Sequence, residues 1–261
     1  MALIDRLKQA RFFRKLMYMG LGVVTYPGLA IMNRLRISGT EHLKGLPRKN
    51  VLFVSNHQTY FADVITLLHI FCAVKWGKMN RLGIPYYLIN PFTNVFYVAA
   101  AETMSSSWIS KFFTLGGALT VRRAWKGDKR KGLDPSDTRK IARALENNWI
   151  IQFPQGTTTP FAPGRKGTAY LIKTHKPIVI PVIIDGFNKA FDKKGLKLKK
   201  KGTELSVEFK QAMELDYEAP VEVLLDQVMT AIGQKRASHP AIPGNMGQPP
   251  ATDTVQPTPG S

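Results

Sequence analysis

The chain has 261 residues, 44% of them hydrophobic, enough for one large or two small domains with a sizeable core. Its 37 Lys and Arg against 18 Asp and Glu leave a net charge of +19, which points to a polyanionic partner, either nucleic acid or an anionic membrane surface. A single cysteine, Cys72, excludes an intramolecular disulfide and any zinc site built on several cysteines.

The basic residues gather in three stretches: RLKQARFFRK near the start, RRAWKGDKRKG in mid-chain and KKGLKLKKKG near residue 200. The first reads as helix and the other two as loops. Between Leu16 and Asn33 the chain carries no charge, with Arg14 and Lys15 before it and Arg34 and Arg36 after it. Pro27 and three glycines interrupt this run, and it has no clean signal-peptide cleavage site. It reads as a membrane-dipping hairpin or amphipathic anchor over residues 1–36, lying in the interface; a membrane span and a buried core helix are the alternatives.

Residues 51–55 read as a buried strand, followed by the polar cluster SNHQTYFAD and a helix, DVITLLHIFCAVKW, with Asp63 near its start. Cys72 lies in the apolar run of that helix and reads as a small buried hydrophobe. NVFYVAA and GGALTV read as strands. DPSDTRKIARALENN reads as a helix, with Asp134 as cap and Pro135 in its first turn. WIIQFP is a strand, GTTTPFAPGRKG a loop and TAYLIKTHK a helix stopped by Pro177. IVIPVIIDG is a strand whose internal Pro181 suggests a bulge or an edge position. ELSVEFKQAMEL reads as a late strand and EVLLDQVMTAIGQK as the closing helix. Strands alternating with helices predict an α/β domain over residues 37–236, a mixed, largely parallel sheet flanked by helices. From Ala237 to Ser261 the composition turns to Pro, Gly, Thr and Gln, which predicts a disordered tail.

In such folds sites form where loops leave the carboxyl ends of strands. Three loops qualify: the one holding His57 and Asp63, the basic stretch after GGALTV, and PQGTTTP. Asn56-His57, GALTVRR at Gly117–Arg123, FPQGTTT from Phe153 and IVIPV around Pro181 follow one another in the order of the glycerophospholipid acyltransferase family, which the chain resembles. AVKWGKMNRLGIPYY, with Lys75 and Pro85, and RKGTAYL, with Lys166 and Gly167, add to the resemblance, which spans about residues 35–215. The chain departs from the family in two places. Five residues separate His57 from Asp63 instead of four, a change that either a longer turn absorbs or that loosens the pair. Gln155 and Thr158 stand where the family has Glu and Arg.

The resemblance implies an O-acyltransferase that moves a fatty acyl group from acyl-CoA or an acyl carrier protein to a lyso-glycerophospholipid, with neither cofactor nor metal. His57 would be the general base for the acceptor hydroxyl and Asp63 its orienting carboxylate, as in hydrolase triads. No Gly-x-Ser-x-Gly elbow is present, in keeping with the substrate hydroxyl as the nucleophile. Lys75, Arg122 and Arg123 would hold phosphate, and Gln155, Gly156 and Thr157 would line the acceptor site, with amides of this loop facing the oxyanion. His69, on an apolar helix face, and His175, at a helix end, read as structural. The implied location is the cytoplasmic face of a membrane. Two other readings remain: a same-fold enzyme acting on another acceptor, such as an acylated amino acid lipid or glycerol 3-phosphate, and a basic nucleic-acid-binding protein without catalysis. The last would need aromatics interleaved with Lys and Arg on an exposed sheet or module, which the sequence lacks.

Overall fold

The structure, a computed structural model, describes residues 2–102, 116–121 and 135–235. Its strands are β1 (Arg34–Ser38), β2 (Val51–Ser55), β3 (Val95–Ala100), β4 (Ala118–Val121), β5 (Trp149–Gln152), β6 (Ile178–Asp185) and β7 (Glu204–Phe209). They form one sheet in the order β1-β7-β6-β2-β5-β3-β4. β2 through β6 run parallel; β7 pairs antiparallel with β6, and β1 runs alongside β7. The sheet is flanked by α1 (Ala2–Tyr26), α2 (Ala62–Lys75), α3 (Pro135–Leu145), α4 (Lys166–His175), the short α5 (Phe187–Ala190) and α6 (Val221–Ala231).

β2 explains the architecture in miniature. It lies in the middle of the sheet, and all five of its residues are buried. A parallel strand covered on both faces reads as a continuous apolar run, as Val-Leu-Phe-Val does. Its alternation splits the core: Val51 and Phe53 join the cluster that includes residues of α1 and α2, and Leu52 and Val54 join the one that includes α3, α4 and α6. In the first cluster Phe53 packs against Phe71, Trp149 and Phe209, with ring centroids 4.8, 5.2 and 6.3 Å away.

Pro181 is not at an edge of the sheet. β6 lies between β2 and β7, with Pro181 in register with Val54. Its carbonyl accepts from Lys210 N (2.9 Å), one residue past the end of β7. A strand residue points its N–H and C=O to the same side, so the missing N–H faces the place where β7 has already ended.

The N-terminal segment is helical and does not form the hairpin that was one of its readings. It is one long helix, α1, extended by a wider helical turn at Pro27–Ile31. Among the described residues no helix is long and apolar enough to cross a membrane. Nor is the segment separate from the domain, since Met17 and Tyr18 belong to the core and β1, from Arg34, is the edge strand of the sheet. His69 of α2 bridges the packing: its Nε2 lies 2.9 Å from Thr25 Oγ1 and its Nδ1 3.0 Å from Tyr87 OH. Burial pushes its pKa down to about 4. The tail from Ala237, the capping Asp134 and the basic stretch after Val121 lie outside the described residues.

Candidate active site

The parallel strands β2, β5 and β6 end side by side, so the loops that follow them share one edge of the sheet. Beyond Ser55 the main chain leaves the ladder, and the Asn56 side chain takes its place. Its Nδ2 donates to Ile184 O (2.7 Å) and its Oδ1 accepts from Ile184 N (2.8 Å), the two bonds a peptide group would make. His57 is thereby held against the sheet, and its ring stacks on Phe153 at the end of β5, centroids 3.9 Å apart and planes 19° apart.

The chain then turns through residues 58–61 into α2, and this turn absorbs the extra residue. His57 Nδ1 lies 2.9 Å from Asp63 Oδ2. Asp63 is fully buried, its carboxylate satisfied by donors on every side: Gln58 N (2.6 Å) and Thr59 N (3.1 Å) to Oδ2, Thr59 Oγ1 (2.7 Å) to Oδ1. Such charge-assisted bonds offset the desolvation of a buried carboxylate. Since a carboxylate only accepts, the proton of neutral His57 sits on Nδ1, and Nε2 keeps its lone pair. The His57 side chain is 13% exposed, whereas that of Asp63 is fully buried.

Two neighbours fix the turn. Gln58 reaches β6, donating from Nε2 to Asp185 Oδ1 (3.0 Å) and accepting at Oε1 from Phe187 N (2.8 Å). A hairpin at 191–198 supplies main-chain carbonyls: Tyr60 N donates to Lys193 O (3.1 Å) and Phe61 N to Lys194 O (2.9 Å). Gly195 sits so close that a Cβ there would lie 2.5 Å from Ala62 N, and its φ of 76° is left-handed.

A buried aspartate hydrogen-bonded to one nitrogen of a histidine, at the carboxyl ends of parallel strands, is compatible with general-base chemistry. The family model described as Acyltransferase matches residues 34–185, more than half of the chain, and covers both residues of the pair. This chain belongs to the acyltransferase family. The glycerophospholipid acyltransferase resemblance read from the motifs is in agreement, and the protein is an enzyme that transfers acyl groups. The acyltransferase is also similar in fold to the crystal structure of the 1-acyl-sn-glycerophosphate (LPA) acyltransferase PlsC from Thermotoga maritima. The TM-score is 0.52 at 16% identity, over 88% of this chain and 82% of that one. No curated protein matches the chain in sequence.

The acyltransferase does not gather all of the expected residues. Lys75 ends α2, twelve residues beyond Asp63 and hence about 18 Å along the helix. Its Nζ donates to Asn90 O (3.0 Å), and desolvation lowers its pKa. Gln155 is buried, and its Nε2 donates to Ala162 O (3.0 Å) and Gln234 Oε1 (3.1 Å), so this amide braces the loop from inside. Gly156 adopts a left-handed φ of 62°, and its N–H is taken by Phe153 O (2.9 Å), which removes it from the amides facing an oxyanion. Thr157 is on the same loop with its hydroxyl 3.2 Å from that of Thr159. Arg122 and Arg123 lie outside the described residues; Val121, the last of β4, ends at the same sheet edge three strands from β2.

Sequence reasoning missed the roles of Asn56, Gln58, Thr59 and Phe153. Each lies inside a stretch it had singled out, but their partners are 95 or more residues away or depend on the path of a turn. The hairpin carbonyls had no signal at all, because any residue supplies one.

Proposed function

We propose that the protein is a membrane-associated O-acyltransferase that acylates a lyso-glycerophospholipid, in first place 1-acyl-sn-glycerol-3-phosphate, in phospholipid biosynthesis. The observation that carries this is the 2.9 Å contact of His57 Nδ1 with buried Asp63, leaving Nε2 to receive a proton. In the proposed reaction Nε2 takes the proton of the acceptor hydroxyl as its oxygen attacks the thioester carbonyl. Asp63 stabilises the imidazolium. The tetrahedral intermediate collapses with cleavage of the C–S bond, and the thiolate leaving group recovers the proton from Nε2. The products are an ester and a free thiol, and no cofactor takes part. The donor is an acyl thioester on coenzyme A or a carrier protein; both bear negative charge that suits a chain of +19. The enzyme works at the cytoplasmic face of a membrane, held there through α1.

A second reading, an acylated amino acid lipid as acceptor, is favoured by one observation. Gln155 and Thr158 are neutral where the family carries charge, and Gln155 is turned inward. Incubating the protein with labelled acyl-CoA or acyl carrier protein and a panel of lyso-acceptors, followed by lipid mass spectrometry, tests both. Product from lysophosphatidate supports the first reading. Product only from the amino acid lipid moves the protein to the second, and no product from any acceptor refutes both.

A further inference from the structure

An apolar ridge on the surface leads to the dyad turn. α1 and the loop 76–90 are locked together: Leu88 packs so tightly on Gly22 that a Cβ there would lie 2.4 Å from it, and Tyr26 OH donates to Gly83 O (2.6 Å). Beside this seam the large apolar side chains point outward. Val24, Ile84, Ile89 and Ile31 leave 77, 74, 71 and 70% of their surface bare. Trp76 and Tyr86 stand on the same loop as an edge-on pair 5.4 Å apart, with Lys78 Nζ 4.1 Å over the Tyr86 ring. Past Ile31 the surface runs on to the lysine hairpin, because Gly202 N donates to Met32 O (2.7 Å) and Thr203 N to Asn33 Oδ1 (3.0 Å). Residues 193–201 hold six lysines and no acid, and Leu196 is exposed at the tip. The main chain of this hairpin accepts the Tyr60 and Phe61 amides between His57 and Asp63.

We propose that α1, the loop 76–90 and the lysine hairpin 191–201 form one surface that docks on an anionic lipid bilayer, with the dyad turn at its border. The inference rests on the membrane-associated reading above and deepens it by naming two further elements of contact. A bilayer is the occupant because it offers hydrocarbon and phosphate side by side, which is what the ridge requires: bare isoleucines and valines, an amphipathic aromatic pair and a run of lysines. A second copy of this chain would set lysine against lysine at +19 per chain. Docking here would bring a lipid acceptor to His57 without leaving the membrane, since the turn that carries Asp63 rests on the hairpin itself.

The test uses the full chain and two variants at exposed positions, Ile84→Ser/Ile89→Ser and Lys197→Gln/Lys200→Gln/Lys201→Gln. Flotation is measured with phosphatidylcholine vesicles with or without phosphatidylglycerol, at low and high salt. The lysine variant is expected to bind anionic vesicles at least tenfold more weakly at low salt and to be unchanged on phosphatidylcholine alone. The isoleucine variant is expected to lose at least fivefold of the salt-resistant binding. Both should keep wild-type melting temperatures and wild-type rates on a short-chain, water-soluble acceptor, and Trp76→Phe should remove part of the quenching of tryptophan fluorescence by brominated lipid. Wild-type binding by both variants overturns the proposal. If deletion of residues 1–33 releases the protein while both variants bind normally, membrane association stands and this surface falls. If the wild-type chain binds no vesicle, membrane association falls with it, and acyl transfer is judged by its own assay.

Discussion

Asp63→Asn probes the pair most sharply, because the surroundings decide which way the new amide turns. Oδ2 accepts from Gln58 N and His57 Nδ1, Oδ1 accepts from the Thr59 hydroxyl, which can reverse and accept, and the Thr59 N–H is shared between them at 3.1 and 3.2 Å. The asparagine oxygen therefore takes the Oδ2 place and its nitrogen the Oδ1 place. His57 keeps its proton on Nδ1 and its orientation. Only the negative charge that stabilises the imidazolium is lost. A carboxylate and an imidazolium about 4 Å apart attract by about 4 kcal/mol at an effective dielectric constant of about 20. The neutral hydrogen bond that remains recovers part of this, leaving a loss of about 2–4 kcal/mol. That is a fall in kcat of about 30-fold to about 1,000-fold. KM for the acceptor should not change, since Asp63 is fully buried and touches no substrate. Steady-state kinetics with labelled acyl-CoA and saturating acceptor measures both, alongside a thermal melt to show that the fold persists. A loss below about threefold would mean that no imidazolium forms in the transition state. A loss above about 10,000-fold would mean that the amide has flipped and the tautomer is wrong.

His57→Ala removes the proposed base and should lower kcat by about two to four orders of magnitude with vesicle binding intact; a near-normal rate sinks the assignment. Asn56→Ala leaves Ile184 N and O without partners in a buried place and should cost about 2–4 kcal/mol in urea unfolding. An unchanged unfolding midpoint would show that the side chain does not close the ladder. His69 is held below its ordinary pKa, so between about pH 4 and 6.5 the unfolded chain binds a proton that the folded one refuses. Its contribution is complete above that window and is lost as pH falls through it, by about 2 kcal/mol from pH 7 to pH 5, and His69→Gln should abolish this part of the slope in urea titrations. Burial pushes the Cys72 thiol pKa up to about 12, so alkylating reagents at pH 8 should label the chain only after unfolding, and rapid labelling of the native protein would contradict the packing.

The elements whose burial is decided by local pattern were legible. Val51–Ser55, Val95–Ala100 and Trp149–Gln152 are strands where apolar, β-branched or aromatic runs predicted them, and the helix beginning near Asp63 spans Ala62–Lys75. Pro181 misled because propensity says only that a proline lacks an N–H, not which neighbour would have received it; the end of β7 answers that. The N-terminal run misled through Pro27 and its glycines, which suggested a bend. Gly22 instead makes room for Leu88, and Pro27 sits just past the last residue of α1. His57 and Asp63 were singled out through their motif, but their 2.9 Å contact was not legible, since a spacing does not reveal the path of the turn between them. Lys75 was drawn in by its rank in the motif order, and helix geometry carries it to the far end of α2.

The side chain of Asn56, standing in for a peptide group across to Ile184, separates two jobs that a single loop would otherwise share. Upstream of it the position of His57 is fixed by the sheet. Downstream the chain has slack, and the turn can gain or lose a residue so long as a carboxylate returns to Nδ1. The five-residue spacing in this chain is then a change of stitching on one side of a fixed rivet, and redesigning the turn's length is open to an engineer in a way that moving the histidine is not.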